Sequence, residues 1–180
     1  MPSARDRVLD AYETLLIEHG GAAVTLDAVA AAAGVSKGGL LYHFASKEAL
    51  AAGLLDRLRE RSAADAEAIR SSPEGAVAYH VRTSAPGRAA PGGLTRTYLA
   101  VLRLADSTVA GQAVREALAV VDSDAHAALR DELNDPVLAW LVQLVGDGLY
   151  LRTLTGTPLP PDLSVDDLLD RMRRYAPKQA

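Results

Sequence analysis

At 180 residues the chain has room for one domain or two small ones, since domains commonly take about 100 to 200 residues. Its apolar content is 49%, yet aromatics reach only 4% and cysteine is absent. The apolar residues are therefore mostly Ala, Leu and Val, which favours helix, and disulfides, thiolate metal sites and cysteine catalysis are excluded. A net charge of -4 argues against non-specific coating of nucleic acid or anionic membrane and leaves room for one small DNA-reading module.

The N-terminus turns polar at once, with Arg5, Asp6 and Arg7 where a signal peptide needs an apolar stretch. No run approaches the ~20 apolar residues of a membrane span, so a soluble, cytoplasmic chain is expected. Ser3 can cap a first helix carrying Val8, Tyr12, Leu15 and His19 at helical spacing, with Leu9 and Leu16 beside them, and Gly20-Gly21 stops it. Thr25 caps a second, turned inward through Leu26, Val29, Ala30 and Ala33 and ended by Gly34. Ser36 caps a third, Lys37 to Phe44, which contains Gly38 and Gly39. Each glycine costs roughly 1 kcal/mol of helix propensity relative to Ala, so something other than intrinsic stability favours them.

A fourth helix opens at Ser46-Lys47 and continues through Leu50, Leu54 and Leu58 to about Arg70, before Ser71-Ser72-Pro73. A short helix from Glu74 to Arg82 and a loop from Ser84 to Gly93 with no bulk to bury come next. Helical patterns return at Thr95 to Ala105 and at Ala110 to Leu133, the latter with a candidate interruption at Val121-Asp122-Ser123. Pro136 fits the first turn of a long helix ending near Gly156, and Ser164 caps a last one reaching Tyr175. No strand alternation and no repeat is visible, so the expectation is all-α with about nine helices. The division expected is residues 1-46 as one domain and 47-180 as another, sharing the exit helix that starts at Lys47.

Residues Thr25 to Leu40 read as a helix-turn-helix. Ala30 is small where two helices cross, Gly34 permits a left-handed turn, and Leu40 plugs the angle between them. The same spacing also fits a helical hairpin in a core. Thr25-Leu-Asp-Ala-Val-Ala, then Gly34-Val-Ser-Lys-Gly-Gly-Leu-Leu-Tyr-His-Phe44, then Ser46-Lys-Glu-Ala-Leu50 resembles the DNA-binding domain of the TetR/AcrR family of one-component transcriptional repressors, over roughly residues 5 to 52. The rest has the length and helix count of that family's ligand-binding and dimerisation domain, and Asp147-Gly-Leu-Tyr150 followed by Gly156 resembles its penultimate helix.

The resemblance implies roles residue by residue. Thr25, at the start of the second helix, would meet a phosphate. Ser36 caps the recognition helix, where Lys37 would reach guanine O6/N7 and Gly38 and Gly39 would let the backbone lie close to base edges. Tyr42, His43 and Lys47 match positions that clamp phosphates; Tyr42 equally suits a half-buried aromatic and Lys47 a solvated charge. Two departures stand out. Leu41 replaces the customary tyrosine, leaving that position to the core, and Gly39 replaces a commoner Thr, Ser or Ala. Residues 1-50 carry four cations against six carboxylates, a net of -2, so affinity would rest on a few placed cations and dipoles, doubled by dimerisation.

In the C-terminal part the family pairs its last two helices in a four-helix dimer interface. Leu141, Val145, Leu149, Val165, Leu168, Leu169 and Met172 are the candidates here, with an ordinary monomer core as the alternative. Tyr79, Tyr98, Trp140 and Tyr150 are the bulky aromatics of the bundle, and Arg103, Gln143 and Asp147 the polar groups able to face a cavity. Such a set suits a small, largely apolar effector; the same aromatics also suit a plain core. His80 and His126 are lone histidines, not metal ligands, and no metal or cofactor is expected. No G-x-S-x-G, H-E-x-x-H or G-x-x-x-x-G-K-[ST] pattern is present, so an enzyme is not expected. The expected partners are double-stranded operator DNA, a small-molecule effector and a second copy of the chain, with no membrane. The rival reading is a helical interaction module with a degenerate head.

Overall fold

The structure is a computed structural model describing residues 2-87, 93-105 and 111-175. Among these the chain forms nine helices and no strand: α1 (Ala4–His19), α2 (Leu26–Ala33), α3 (Lys37–His43), α4 (Lys47–Ser71), α5 (Ala76–Ser84), α6 (Leu94–Ala105), α7 (Gly111–Leu133), α8 (Pro136–Thr155) and α9 (Val165–Tyr175). Two compact units result. One comprises Met1–Arg61 with Leu94–Val120, the other Ser62–Gly93 with Val121–Ala180, so α4 and α7 each give residues to both.

The punctuation works as capping chemistry requires. Ser3 and Asp6 form a reciprocal capping box on α1, and Thr25 Oγ1 accepts from the Ala28 N–H at 3.2 Å. Ser36 Oγ accepts from the Gly39 N–H at 3.0 Å, and Asp135 accepts from Val137 and Leu138 ahead of Pro136. Gly34 and Gly156, at φ 64° and 66°, close α2 and α8 in the left-handed conformation. Two expectations are corrected. No interruption occurs at Val121-Asp122-Ser123, because α7 runs unbroken through them. The loop expected from Ser84 begins later, since Ser84 ends α5 and both it and Ala85 are buried; Arg88 to Gly92 of that loop lie outside the described residues.

The first unit is built on Val8, Leu9, Tyr12 and Leu16 of α1, Val29 and Ala30 of α2, Leu40 of α3, and Leu50, Leu54 and Leu58 of α4, all buried. Leu15 and Leu26 are half-buried and His19 is exposed, so they border this core rather than fill it. The second unit closes on Ala66, Ile69, Val81, Leu129, Val142, Leu149 and Leu169. No described helix is long and apolar enough to cross a membrane.

Candidate nucleic-acid interface and effector site

The helix-turn-helix is held from below by aliphatic packing and at its exit by one aromatic. Gly34 turns the chain so that the Val35 N–H reaches the Ala30 carbonyl at 3.0 Å, and Leu40 is wholly buried against that turn. Phe44, 4% exposed, sits under the Arg5 guanidinium at 5.5 Å from its ring centre. A Cβ on Gly53 would come within 2.5 Å of the same ring, so α4 leaves the head at a distance only glycine allows. The first unit therefore presents a fixed outer face of α3.

On that face Tyr42 is 87% exposed, its ring edge against His43 at 5.2 Å. This excludes the half-buried aromatic reading. A Cβ on Gly38 meets nothing within 4 Å, whereas one on Gly39 meets the capping Ser36 hydroxyl at 3.2 Å and the Val35 Cβ at 3.9 Å; the first turn of α3 is open to an approaching surface. Lys37 is exposed but paired, its Nζ 2.9 Å from the Asp27 carboxylate on α2. Lys47 Nζ donates to the Gly21 carbonyl at 3.0 Å and is partly buried, so it is not a freely solvated charge. Thr25 and Ser36 spend one lone pair each on their caps and keep a hydroxyl proton to donate. Leu41 is corrected: it is 37% exposed on α3, not core.

The acidic count of the head is also resolved. Asp6, Asp10 and Glu13 turn to Arg57 of α4, at 3.2, 2.6 and 3.4 Å. Glu13, 1% exposed in its side chain, further receives Arg61 at 3.1 Å, Arg96 of α6 at 3.4 Å and the Thr97 hydroxyl at 2.8 Å. Half of the head's carboxylates thus neutralise arginines within their own unit. The residues 1-50 window of the sequence concealed this, because the arginines lie beyond it; a carboxylate on the buried face of α1, one residue after Tyr12, was the available signal.

In the second unit the candidates separate. Gln143 is buried, Tyr79 and Tyr150 half-buried, and Asp147 exposed at its edge. Trp140 was expected inside the bundle and is instead 47% exposed, its ring edge against His126 at 5.6 Å. Tyr98, half-buried, and Arg103, exposed, belong to the first unit on α6. Partial desolvation against the neighbouring helix pushes the carboxyls of Asp122 and Asp147 up although both side chains keep exposed edges, that of Asp147 further through the charge of Asp122. A cavity of about 120 Å³ is lined by Val77, Leu133, Leu138, Val142, Leu169 and Met172 among others, and by none of the seven effector candidates.

The interface candidates divide by helix. On α9, Val165, Leu168 and Met172 pack on their own unit's core and Leu169 is buried in it; Leu149 and Val145 of α8 do likewise. Leu141 is 54% exposed, as are its companions on α8, Val137, Leu144 and Leu151, at 68%, 47% and 61%, of which the sequence reading missed Val137 and Leu144. Their spacing, four, three and seven residues, was legible as one stripe. Among the described residues no group of three potential metal ligands occurs.

Residues 8-54 match the family model described as bacterial regulatory proteins, tetR family. Among curated proteins none matches. Among solved structures, a TetR-family member from Streptomyces coelicolor A3 is 26% identical, covering 98% of this chain and 99% of that one at a TM-score of 0.69. The multidrug binding protein EbrR complexed with malachite green is 27% identical, with 98% and 99% covered and a TM-score of 0.70. NalD, the secondary repressor of a multidrug efflux pump in Pseudomonas aeruginosa, shares the fold at 19% identity, 98% and 97% covered, with a TM-score of 0.63.

Proposed function

We propose, from the premise that this chain belongs to the TetR family of regulatory proteins, that it is a one-component repressor. Residues 1-46 act as the DNA-reading domain and 47-180 as the effector and dimerisation domain. A homodimer binds a palindromic operator in the cytoplasm and is released by a small, largely apolar effector. The observation that carries the DNA reading is the outer face of α3, where Gly38 is open, Tyr42 is 87% exposed and Lys37 stands at the first turn. The effector reading is supported by EbrR, whose complexes contain imidazole, ethidium and malachite green.

In the proposed mechanism Lys37 exchanges Asp27 for a guanine edge, a small sacrifice because an exposed ion pair is worth about 0 to 1 kcal/mol. Tyr42, His43, Thr25 and Lys47 meet phosphates, and Leu41, exposed beside Tyr42, offers an apolar contact to a thymine methyl. Gel shift on the promoter next to the protein's own coding region tests this. Lys37→Ala should relax base preference at one position per half-site, by about 1 to 3 kcal/mol. Lys47→Ala should weaken all sequences alike and flatten the salt slope by about one unit per half-site. Unchanged affinity in both variants overturns the assignment. The Lys37–Asp27 pair and the aliphatic Leu41 are what favour the second reading, a helical interaction module with a degenerate head; it predicts no shift on any promoter fragment.

A further inference from the structure

Lys37 is the first residue of α3 and Asp27 the second of α2, so the ion pair they form bridges the opening turns of the two helices. The ammonium lies 2.9 Å from one carboxylate oxygen and 3.1 Å from the other, and the two side chains are 60% and 69% exposed. Both partners thus stand on the surface that the proposed DNA reading turns toward the major groove. An aspartate is costly on such a surface. Its charge repels phosphates, and once Lys37 leaves it for a guanine edge it faces the acceptors O6 and N7 as well. A carboxylate among acceptors needs a donor.

The base pair that takes Lys37 supplies one. Across the major groove a G·C pair presents guanine N7 and O6, two acceptors side by side, and then the cytosine N4 amino group as a donor. A lysine ammonium carries three donors and no acceptor, whereas an ionised carboxylate accepts and cannot donate. The two side chains are therefore the complement of that edge, ammonium to guanine and carboxylate to cytosine. Ammonium and carboxylate stand one hydrogen-bond length apart, and so do O6 and N4, which are bonded to each other within the pair. An A·T edge instead sets its donor between two acceptors, so the ammonium would find a single acceptor beside it. Asp27 has a short side chain and must come close; Gly38, where an added Cβ would meet nothing within 4 Å, leaves that approach open.

We infer that Asp27 is a specificity-determining residue of the reading head: the Lys37–Asp27 pair opens onto one G·C pair in each half-site, Lys37 donating to guanine and Asp27 accepting from the cytosine N4 amino group. This deepens the proposed DNA reading and rests on it. A carboxylate that merely held Lys37 back from DNA would behave differently, because its removal would strengthen binding to every duplex alike.

The test is gel shift with full-length wild type, Asp27→Ala and Lys37→Ala on the operator duplex found in the promoter fragment and on an unrelated duplex. At the G·C position where Lys37→Ala relaxes base preference, the cytosine is replaced by pyrimidin-2-one, which lacks the 4-amino group. Wild type should lose about tenfold in affinity with this analogue, and Asp27→Ala less than about twofold. Asp27→Ala should bind the unrelated duplex at least as well as wild type, since an anion has gone, so its preference for the operator falls by about tenfold. Equal loss from the analogue in both proteins, an A·T preference at that position, or a gain in Asp27→Ala shared by operator and unrelated duplex each overturns the inference. Asp27 is exposed and alanine suits a helix, so the variant should melt as wild type does. Wild type alone also decides, because indifference to the analogue defeats the contact whatever the variant does. A wild type that shifts no promoter fragment defeats the regulator reading and this contact with it; operator binding that persists without the coupling defeats the contact alone.

Discussion

Two titratable side chains in the second unit, buried His80 and half-buried Asp65, give this fold opposite pH responses. His80 is packed with Nε2 so close to Gly146 that a Cβ there would lie 2.2 Å away, and burial pushes its imidazole down to about 4. Between pH 6.5 and 4 the unfolded chain takes up a proton that native His80 refuses, so this residue's contribution falls as pH falls through that window. Asp65 behaves conversely. Burial raises its carboxyl to about 6 against one hydrogen bond, 3.4 Å long, from the Tyr79 hydroxyl. Native Asp65 holds a proton that the unfolded chain has released above about 3.8, so its contribution is present at low pH and is lost as pH rises through 6. Asp65→Asn should therefore gain on wild type as pH rises from 4 to 6, by on the order of 1 to 3 kcal/mol, and stay level above. Denaturant titrations of both proteins at each pH measure that difference; a gap independent of pH refutes the assignment. Neither environment was legible in the sequence, where His80 is one of four histidines and Asp65 one carboxylate in a polar stretch. Their titration depends on what α8 and α5 place against them, and no spacing within their own helices records it.

At the scale of elements, the sequence reading succeeded wherever a local device ends a helix. Ser3, Thr25, Ser36, Ser164, Gly34 and Gly156 act within a turn of themselves, and each does in the structure what its side chain or backbone dictates. It erred where the decision is tertiary. Val121-Asp122-Ser123 looks breakable in isolation, yet α7 continues because Ala125, Ala128 and Leu129 beyond it are needed in the core. The apolar stripe of α9 packs on its own unit's core with Val165, Leu168 and Met172 partly buried and Leu169 within it, while α8, apolar nearly all round, covers one side with its own core and leaves Val137, Leu141, Leu144 and Leu151 in the open. A dimer interface proposed for this family shape should therefore centre on α8. Leu141→Glu and Leu144→Glu change exposed positions, so the monomer should still fold; each should split the proposed dimer by burying a carboxylate without a partner. Sedimentation of the variants checks this, and intact dimers in both would defeat it. Leu169→Glu, at 1% exposure, would confuse dissociation with unfolding.

For the whole molecule, the proposed repressor makes a demand that thermodynamics fixes in both directions. α4 contributes Lys47 to the first unit and Ser62 to Ser71 to the second, so a single helix carries both a proposed phosphate contact and residues of the effector domain. An effector that releases DNA must bind the DNA-free protein more tightly than the bound one, by the same factor as it lowers operator affinity. A coupling of about 1 to 3 kcal/mol gives that factor as roughly 5- to 150-fold. Operator affinity measured by gel shift across effector concentrations should yield one value of it. Effector affinity measured by calorimetry on free protein and on the preformed operator complex should yield the same value from the other side. Agreement within error establishes release by linkage. If the effector bound both forms equally while operator still dissociated, the loss of DNA would have to come from competition for DNA itself or from unfolding. A melting temperature that rises with effector removes unfolding. An unrelated DNA duplex, left equally bound to a control protein, removes competition. Unequal factors after both controls would overturn the regulatory mechanism and leave the DNA-binding domain as its own finding.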